Sequence, residues 1–147
     1  MDNLWNLYPI LINLKKKNWN VNLVKEIHII DDNNEILKLL TLLIQFEIPD
    51  SVILTETHGT YGLNLIKSGN PDLIILDIVL PGMNGEEICK ELRKINKYKE
   101  IPIFAFTGLD LREEETKTLK SYFNEIVSKN IELSDFIALI RKYIYRS

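Results

Sequence analysis

Five short runs rich in β-branched residues, separated by longer stretches of helical period, constrain this chain more than any other feature it has. The runs are KEIHII (25–30), SVILT (51–55), LIILD (73–77), IPIFAF (101–106) and NEIVS (124–128). After each run, apolar residues recur at three- and four-residue intervals, over Asn34–Phe46, His58–Lys67, Glu86–Asn96, Leu111–Tyr122 and Leu133–Tyr145. Asn33 or Asn34, Asn84, Asp110 and Ser134 stand where N-caps belong. Strands joined through helices must run parallel, and a parallel sheet needs helices on both faces. The expected fold is α/β: a (βα)5, doubly wound, parallel five-stranded sheet. LIIL and IFAF, apolar without alternation, fit central strands, whereas the more mixed first and last runs read as edges.

Composition limits what such a sheet could serve. With 147 residues and 46% hydrophobic content the chain fits one domain, which the pattern assigns to residues 25–147, leaving residues 1–24 as an N-terminal extension. A formal net charge of −3, with both signs mixed along the chain, gives no basic footprint for direct nucleic-acid contact. One cysteine, Cys89, precludes an internal disulfide framework and fits a reduced, cytoplasmic setting. In MDNLWNLYPILINLKKK the charges follow the apolar residues, and Asn and Pro interrupt the run, so it is neither a signal peptide nor a membrane span. Lys15 to Lys17 are a small electrostatic signal for an anionic membrane or acidic partner.

In an open parallel sheet, ligands meet the chain at the carboxyl ends of the strands. Asp31 and Asp32 close the first run, Asp77 the third, Thr107 the fourth and Lys129 the fifth. Any one of these is ordinarily a cap, a turn former or a solvated charge. Together on successive strand ends they converge. Three crowded carboxylates repel one another, and a hard cation with oxygen ligands, most naturally Mg2+, relieves that repulsion. A lysine and a hydroxyl beside them could hold an anion with dispersed charge, such as a phosphoryl group. Asp77 is then a candidate nucleophile.

These motifs resemble the receiver domain of two-component response regulators over about residues 25–146. The resemblance is carried by the acidic pair in HIIDDNNEIL, the strand and turn LIILDIVLPGMNGEE, the hydroxyl in FAFTG and the lysine in IVSKN. Thr107 falls 30 residues after Asp77, and Lys129 falls 22 after Thr107, as the family's layout requires. The resemblance implies a flavodoxin-like strand order and a phosphoryl group passed to Asp77 from a histidine kinase or phosphotransfer protein. It further implies Mg2+ held by Asp32, by Asp31 chiefly through water, by Asp77 and by the backbone carbonyl of Val79. Lys129 would pair first with Asp77 and then with a phosphoryl oxygen, Thr107 would move to hydrogen-bond the phosphoryl group, and Pro81-Gly82 and Gly85 would shape the loop.

The family usually carries Pro after the lysine, where Asn130 stands, and an aromatic three residues before it, where Ile126 stands. Val79 and Leu109 are apolar where many relatives have polar residues able to orient water, which points to slow autodephosphorylation. The expected function is a single-domain response regulator, a monomer or weak dimer, that signals through a downstream protein bound at the fourth helix, fifth strand and fifth helix. A degenerate receiver acting as a phosphorylation-independent binding module is the alternative. A phosphohydrolase would want an acid where Val79 stands, and a nucleotide-binding fold would want a Gly-rich loop after the first strand. His28, His58 and Cys89 read as packing or surface residues. In the extension, Leu4, Leu7, Tyr8, Leu11 and Leu14 follow helical spacing despite Pro9, so an added helix or a tail lying against the domain is expected. Trp5, Tyr8 and Trp19 forming a dimer or partner contact is the other possibility.

Overall fold

Alternating elements of this length can close only as a parallel sheet, and the computed structural model, which describes Ile10 and residues 24–146, has one. The strands are β1 (Lys25–Ile30), β2 (Ser51–Glu56), β3 (Leu73–Leu76), β4 (Ile103–Thr107) and β5 (Glu125–Ser128). The helices between and after them are α1 (Asn34–Glu47), α2 (Gly59–Ser68), α3 (Gly85–Arg93), α4 (Glu113–Leu119) and α5 (Leu133–Ile144), with a 3-10 turn at Asn96–Tyr98. The strand order is β2-β1-β3-β4-β5, all parallel, so the expected (βα)5 doubly wound sheet is present. The expectations for the extension fall on residues outside those described, Ile10 apart. Among the described residues no helix is long and apolar enough to cross a membrane.

Strand alternation splits the core into two layers. Ile27, Ile29, Ile75, Phe104 and Phe106 face α1 and α5, where Phe106 stacks on Phe136 with ring centroids 5.0 Å apart. Ile30, Ile74, Leu76, Ile103 and Ala105 face α2, α3 and α4. Fully burying a side chain such as Phe104 contributes about 1.5–3 kcal/mol, and both layers are built of such residues.

Three expectations are corrected. β1 is not an edge strand but lies between β2 and β3. Its mixed composition survives there because the buried Glu26 and His28 pair with each other, Glu26 Oε1 lying 2.8 Å from His28 Nε2, while the Glu26 carboxylate also accepts the Asn70 N–H at 2.9 Å. Asp110 does not cap the fourth helix. The chain stays extended through the half-buried Leu111 and turns helical after Arg112, whose N–H Glu115 Oε2 accepts at 2.9 Å. Ser134 is likewise inside α5, with Glu132 in the extended N-cap conformation. Asn33 and Asn84 do cap α1 and α3: Asn33 Oδ1 accepts from the Glu35 and Ile36 amides, and Asn84 forms a reciprocal capping box with Glu87.

Candidate functional site

The ladder carries the strand-end residues into register one step beyond the strands themselves. Ile30 pairs with Leu76, and the Asp77 N–H then donates to the Ile30 carbonyl at 2.8 Å. On the other side Thr107 pairs with Ser128, and the Lys129 N–H donates to the Thr107 carbonyl at 2.9 Å. Asp31, Asp77 and Lys129 therefore meet above the centre of the sheet although 98 residues separate the first from the last.

Asp31 is 1% exposed and Asp77 5%, whereas Asp32 is open to solvent. The three can present carboxylate oxygens within 4.8 Å of one another. Lys129 Nζ stands 2.8 Å from Asp31 Oδ2 and 2.8 Å from Asp77 Oδ2. It donates an aligned hydrogen bond to Asp77, while Asp31 Oδ2, buried, has the ammonium's charge opposite it and no aligned donor. Asp31 Oδ1 accepts the Asn33 N–H at 2.9 Å, and Asp77 Oδ1 accepts the Val79 N–H at 3.3 Å.

Burial pushes the Asp31 carboxyl above its ordinary range, an effect that Lys129 and the Asn33 amide only partly offset. Burial pulls the other way on Lys129, but the two carboxylates outweigh it and hold the ammonium above its ordinary value. One lysine thus shares its charge between two acids. A buried carboxylate oxygen without an aligned donor, beside two more acids, is the donor set of a hard divalent cation, and these residues fit Mg2+.

Thr107 is buried, and its hydroxyl oxygen accepts the Leu109 N–H at 3.1 Å, leaving the hydroxyl proton available to donate. Gly108 keeps the approach open, since a Cβ there would meet nothing nearer than Lys129 Cδ at 3.9 Å. Two glycines shape the loop after Asp77. Gly82 takes φ +75°, and a Cβ on Gly85 would stand 2.1 Å from the Asp77 carbonyl oxygen. The Val79 and Leu109 side chains point outward, 56% and 48% exposed, at the rim.

Among the described residues no peptide bond is cis, and the Asn130 N–H donates to Ser128 Oγ at 3.1 Å, so Ser128 organises the turn after β5. Ile126 packs half-buried against the α2–α4 layer, with Phe123 buried in the same layer. Two contributors have no local signature. The Lys129 ammonium lies 5.9 Å from the centroid of the Phe106 ring, which is itself held by Phe136. Arg93, at the end of α3, donates to the carbonyls of Tyr122, Tyr98, Lys99 and Ile101 and to Asn124 Oδ1, tying the loops before β4 and β5 together.

Residues 27–141 match the family model described as response regulator receiver domain. The chain is 29% identical over 120 residues to the polar-differentiation response regulator DivK of Brucella anthropi, covering 82% of this chain and 96% of that protein. The DivK of Brucella ovis is also 29% identical, over 83% of this chain and 98% of its own. Among solved structures, the receiver domain of the sensor histidine kinase PA1611 from Pseudomonas aeruginosa superposes with a TM-score of 0.74 at 18% identity, covering 84% of this chain and 99% of that one. That structure holds a magnesium ion in its active-site cleft. The BeF3-activated receiver domain of Klebsiella pneumoniae RstA superposes at 0.72 with 24% identity, covering 83% and 100%.

Proposed function

The chain belongs to the response regulator receiver domain family of two-component signalling, and on that premise we propose that it takes a phosphoryl group from a phosphohistidine donor onto Asp77 and signals through a partner protein. The donor is a histidine kinase or a phosphotransfer protein. The observation that carries this reading is the double contact of Lys129 with two buried carboxylates, 2.8 Å to each, one of which lacks an aligned hydrogen bond.

An Asp77 carboxylate oxygen bonds to phosphorus as the bond from phosphorus to the donor imidazole breaks, and the electron pair returns to the ring nitrogen. The product is an aspartyl phosphate. Asp31, Asp32, Asp77 and the Val79 carbonyl would hold Mg2+, which supplies charge neutralisation between the carboxylates and the phosphoryl oxygens. Lys129 already touches Asp77 and has only to carry its ammonium onto a phosphoryl oxygen. Thr107 has a hydroxyl proton to donate to another, and Gly108 leaves room for it. Departure of the signal by way of α4, β5 and α5 is supported by the position of Thr107 at the end of β4 and of Lys129 just after β5, bordering that face.

The test is incubation with Mg2+ and a small acyl phosphate donor, with intact mass read for wild type beside Asp77→Asn. Wild type gains one phosphoryl group and the variant none. Beryllofluoride with Mg2+ shifts the amide resonances of the Asp77, Thr107 and Lys129 loops. No modification and no Mg2+-dependent shift would sink the reading in favour of a binding module that does not use phosphorylation.

A further inference from the structure

Helix α1 is apolar on both sides. Leu37, Leu40 and Ile44 face the core, as an amphipathic helix requires. Leu39, Leu42 and Phe46 lie on the opposite side at intervals of three and four residues, 51%, 69% and 81% exposed. That spacing places them in one stripe down the solvent face, about 10 Å long at 1.5 Å per residue. The other large exposed apolar side chains of the sheet domain, such as Tyr61 and Leu133, lie on other elements.

From the stripe and the point where the chain enters the sheet, we infer that Leu39, Leu42 and Phe46 are the docking surface for this chain's own residues 1–23. This goes beyond phosphoryl transfer and does not rest on it. Phe46 lies four residues before Asp50, whose carbonyl accepts the Lys25 N–H at 2.8 Å. The chain that precedes β1 is therefore delivered to the loop that follows the C-terminal end of α1, four residues along the chain from the most exposed member of the stripe. Val24 is already buried at that end of the sheet.

Twenty-three residues are several times what a 10 Å stripe needs. Their sequence supplies a matching apolar series at helical spacing in Leu4, Leu7, Leu11 and Leu14, together with both tryptophans of the chain, Trp5 and Trp19. Three side chains are too small a patch for a stable dimer, which needs about 800 Å2 from each partner. A tethered segment needs far less, because the tether holds its effective concentration at about millimolar.

Since residues 24–147 hold no tryptophan, the tryptophan emission of this chain reports on the segment alone. The experiment compares acrylamide quenching of wild type with Leu42→Lys/Phe46→Lys, and with Phe46→Lys as the smaller change, over a hundredfold range of protein concentration. Both sites point to solvent, and circular dichroism confirms that the sheet domain is folded. Wild-type tryptophan is expected to be shielded at every concentration, and the variants to quench severalfold more strongly, with emission moved to the red. Three outcomes overturn the inference: wild-type tryptophans quenched as strongly as in denaturant; shielding unchanged in the variants; or shielding lost on dilution, which would assign the stripe to a second copy of the chain.

Discussion

Replacing Asp31 by Asn tests the electrostatics of the site more sharply than removing Asp77, because Asp31 holds the buried oxygen without an aligned donor. In the absence of a divalent cation, the substitution removes repulsion from Asp77 across at most 4.8 Å, worth about 3.5 kcal/mol at an effective dielectric of ~20. It also gives up attraction to Lys129 at 2.8 Å, about 6 kcal/mol on the same scale. The pair terms alone would make the variant less stable. Burial decides otherwise: the Asp31 pKa lies above its unfolded value, near 3.8, so ionising the folded protein is net unfavourable. Stability is lost as pH rises from about that value through the raised folded one, and at neutral pH the full cost is present. Asp31→Asn is therefore expected to be at least as stable as wild type at pH 7 without metal, and to show a shallower loss of stability across the acidic range.

With Mg2+ the order changes. At ten times its dissociation constant a ligand of the native state adds about 1.4 kcal/mol. For 147 residues at about 2.1 cal/mol/K each, that raises wild-type Tm by about 5 °C. The variant, lacking a buried ligand, is expected to shift by less than about 1 °C at the same concentration. The assay is thermal unfolding by circular dichroism from pH 4 to pH 8, with and without Mg2+. An equal Mg2+ shift in Asp31→Asn, or a metal-free variant more than about 1 kcal/mol less stable than wild type, would refute the reasoning.

Val79→Asn puts a polar group at the exposed rim of the site, and is expected to speed phosphate release from the phosphorylated protein about tenfold, roughly 1.4 kcal/mol of barrier; a wild type that loses its phosphate within seconds contradicts the premise of a poorly aligned water. Arg93→Met removes the guanidinium that donates to Tyr122, Tyr98, Ile101 and Asn124 at 2.7–2.9 Å. At about 1 kcal/mol per bond, urea titration should show a loss of about 4 kcal/mol, and a loss under 1 kcal/mol would mean that water replaces the hub. Burial pushes the Cys89 thiol up from 9.0 to about 11, with the charge of Arg93 offsetting part of the effect. Iodoacetamide at pH 8 should therefore label native protein at least about a hundredfold more slowly than protein in urea, as followed by mass; equal rates would place the thiol at the surface.

Much of the fold is written locally. Helical period, apolar runs and Asn residues at the two best-capped helix starts depend on neighbours a few positions away, so they are legible without coordinates. The candidate site was legible for a related reason: Asp31, Asp32, Asp77, Thr107 and Lys129 all stand at the carboxyl end of a strand or within two residues of it, and parallel strands deliver their ends to one edge. What stayed hidden depended on which side chains the fold buries, even where the partners are close in sequence. β1 looked like an edge because Glu26 and His28 are polar, and only their mutual contact inside the core makes them tolerable in a central strand. The fourth helix starts late because Leu111 packs inward and Glu115 reaches back to Arg112, a choice that local propensity does not register.

The sequence by itself determined which residues reach the sheet's carboxyl edge and the chemistry they can carry there. Only the tertiary structure decided that Lys129 divides itself between Asp31 and Asp77, that the Phe106 ring lies under its ammonium, and that Arg93 ties four carbonyls of separate loops. The physical reason is that period and strand-end position are properties of the chain near each residue. Burial, charge sharing and hydrogen-bond partners are fixed by strand order and register, which bring together groups tens of residues apart.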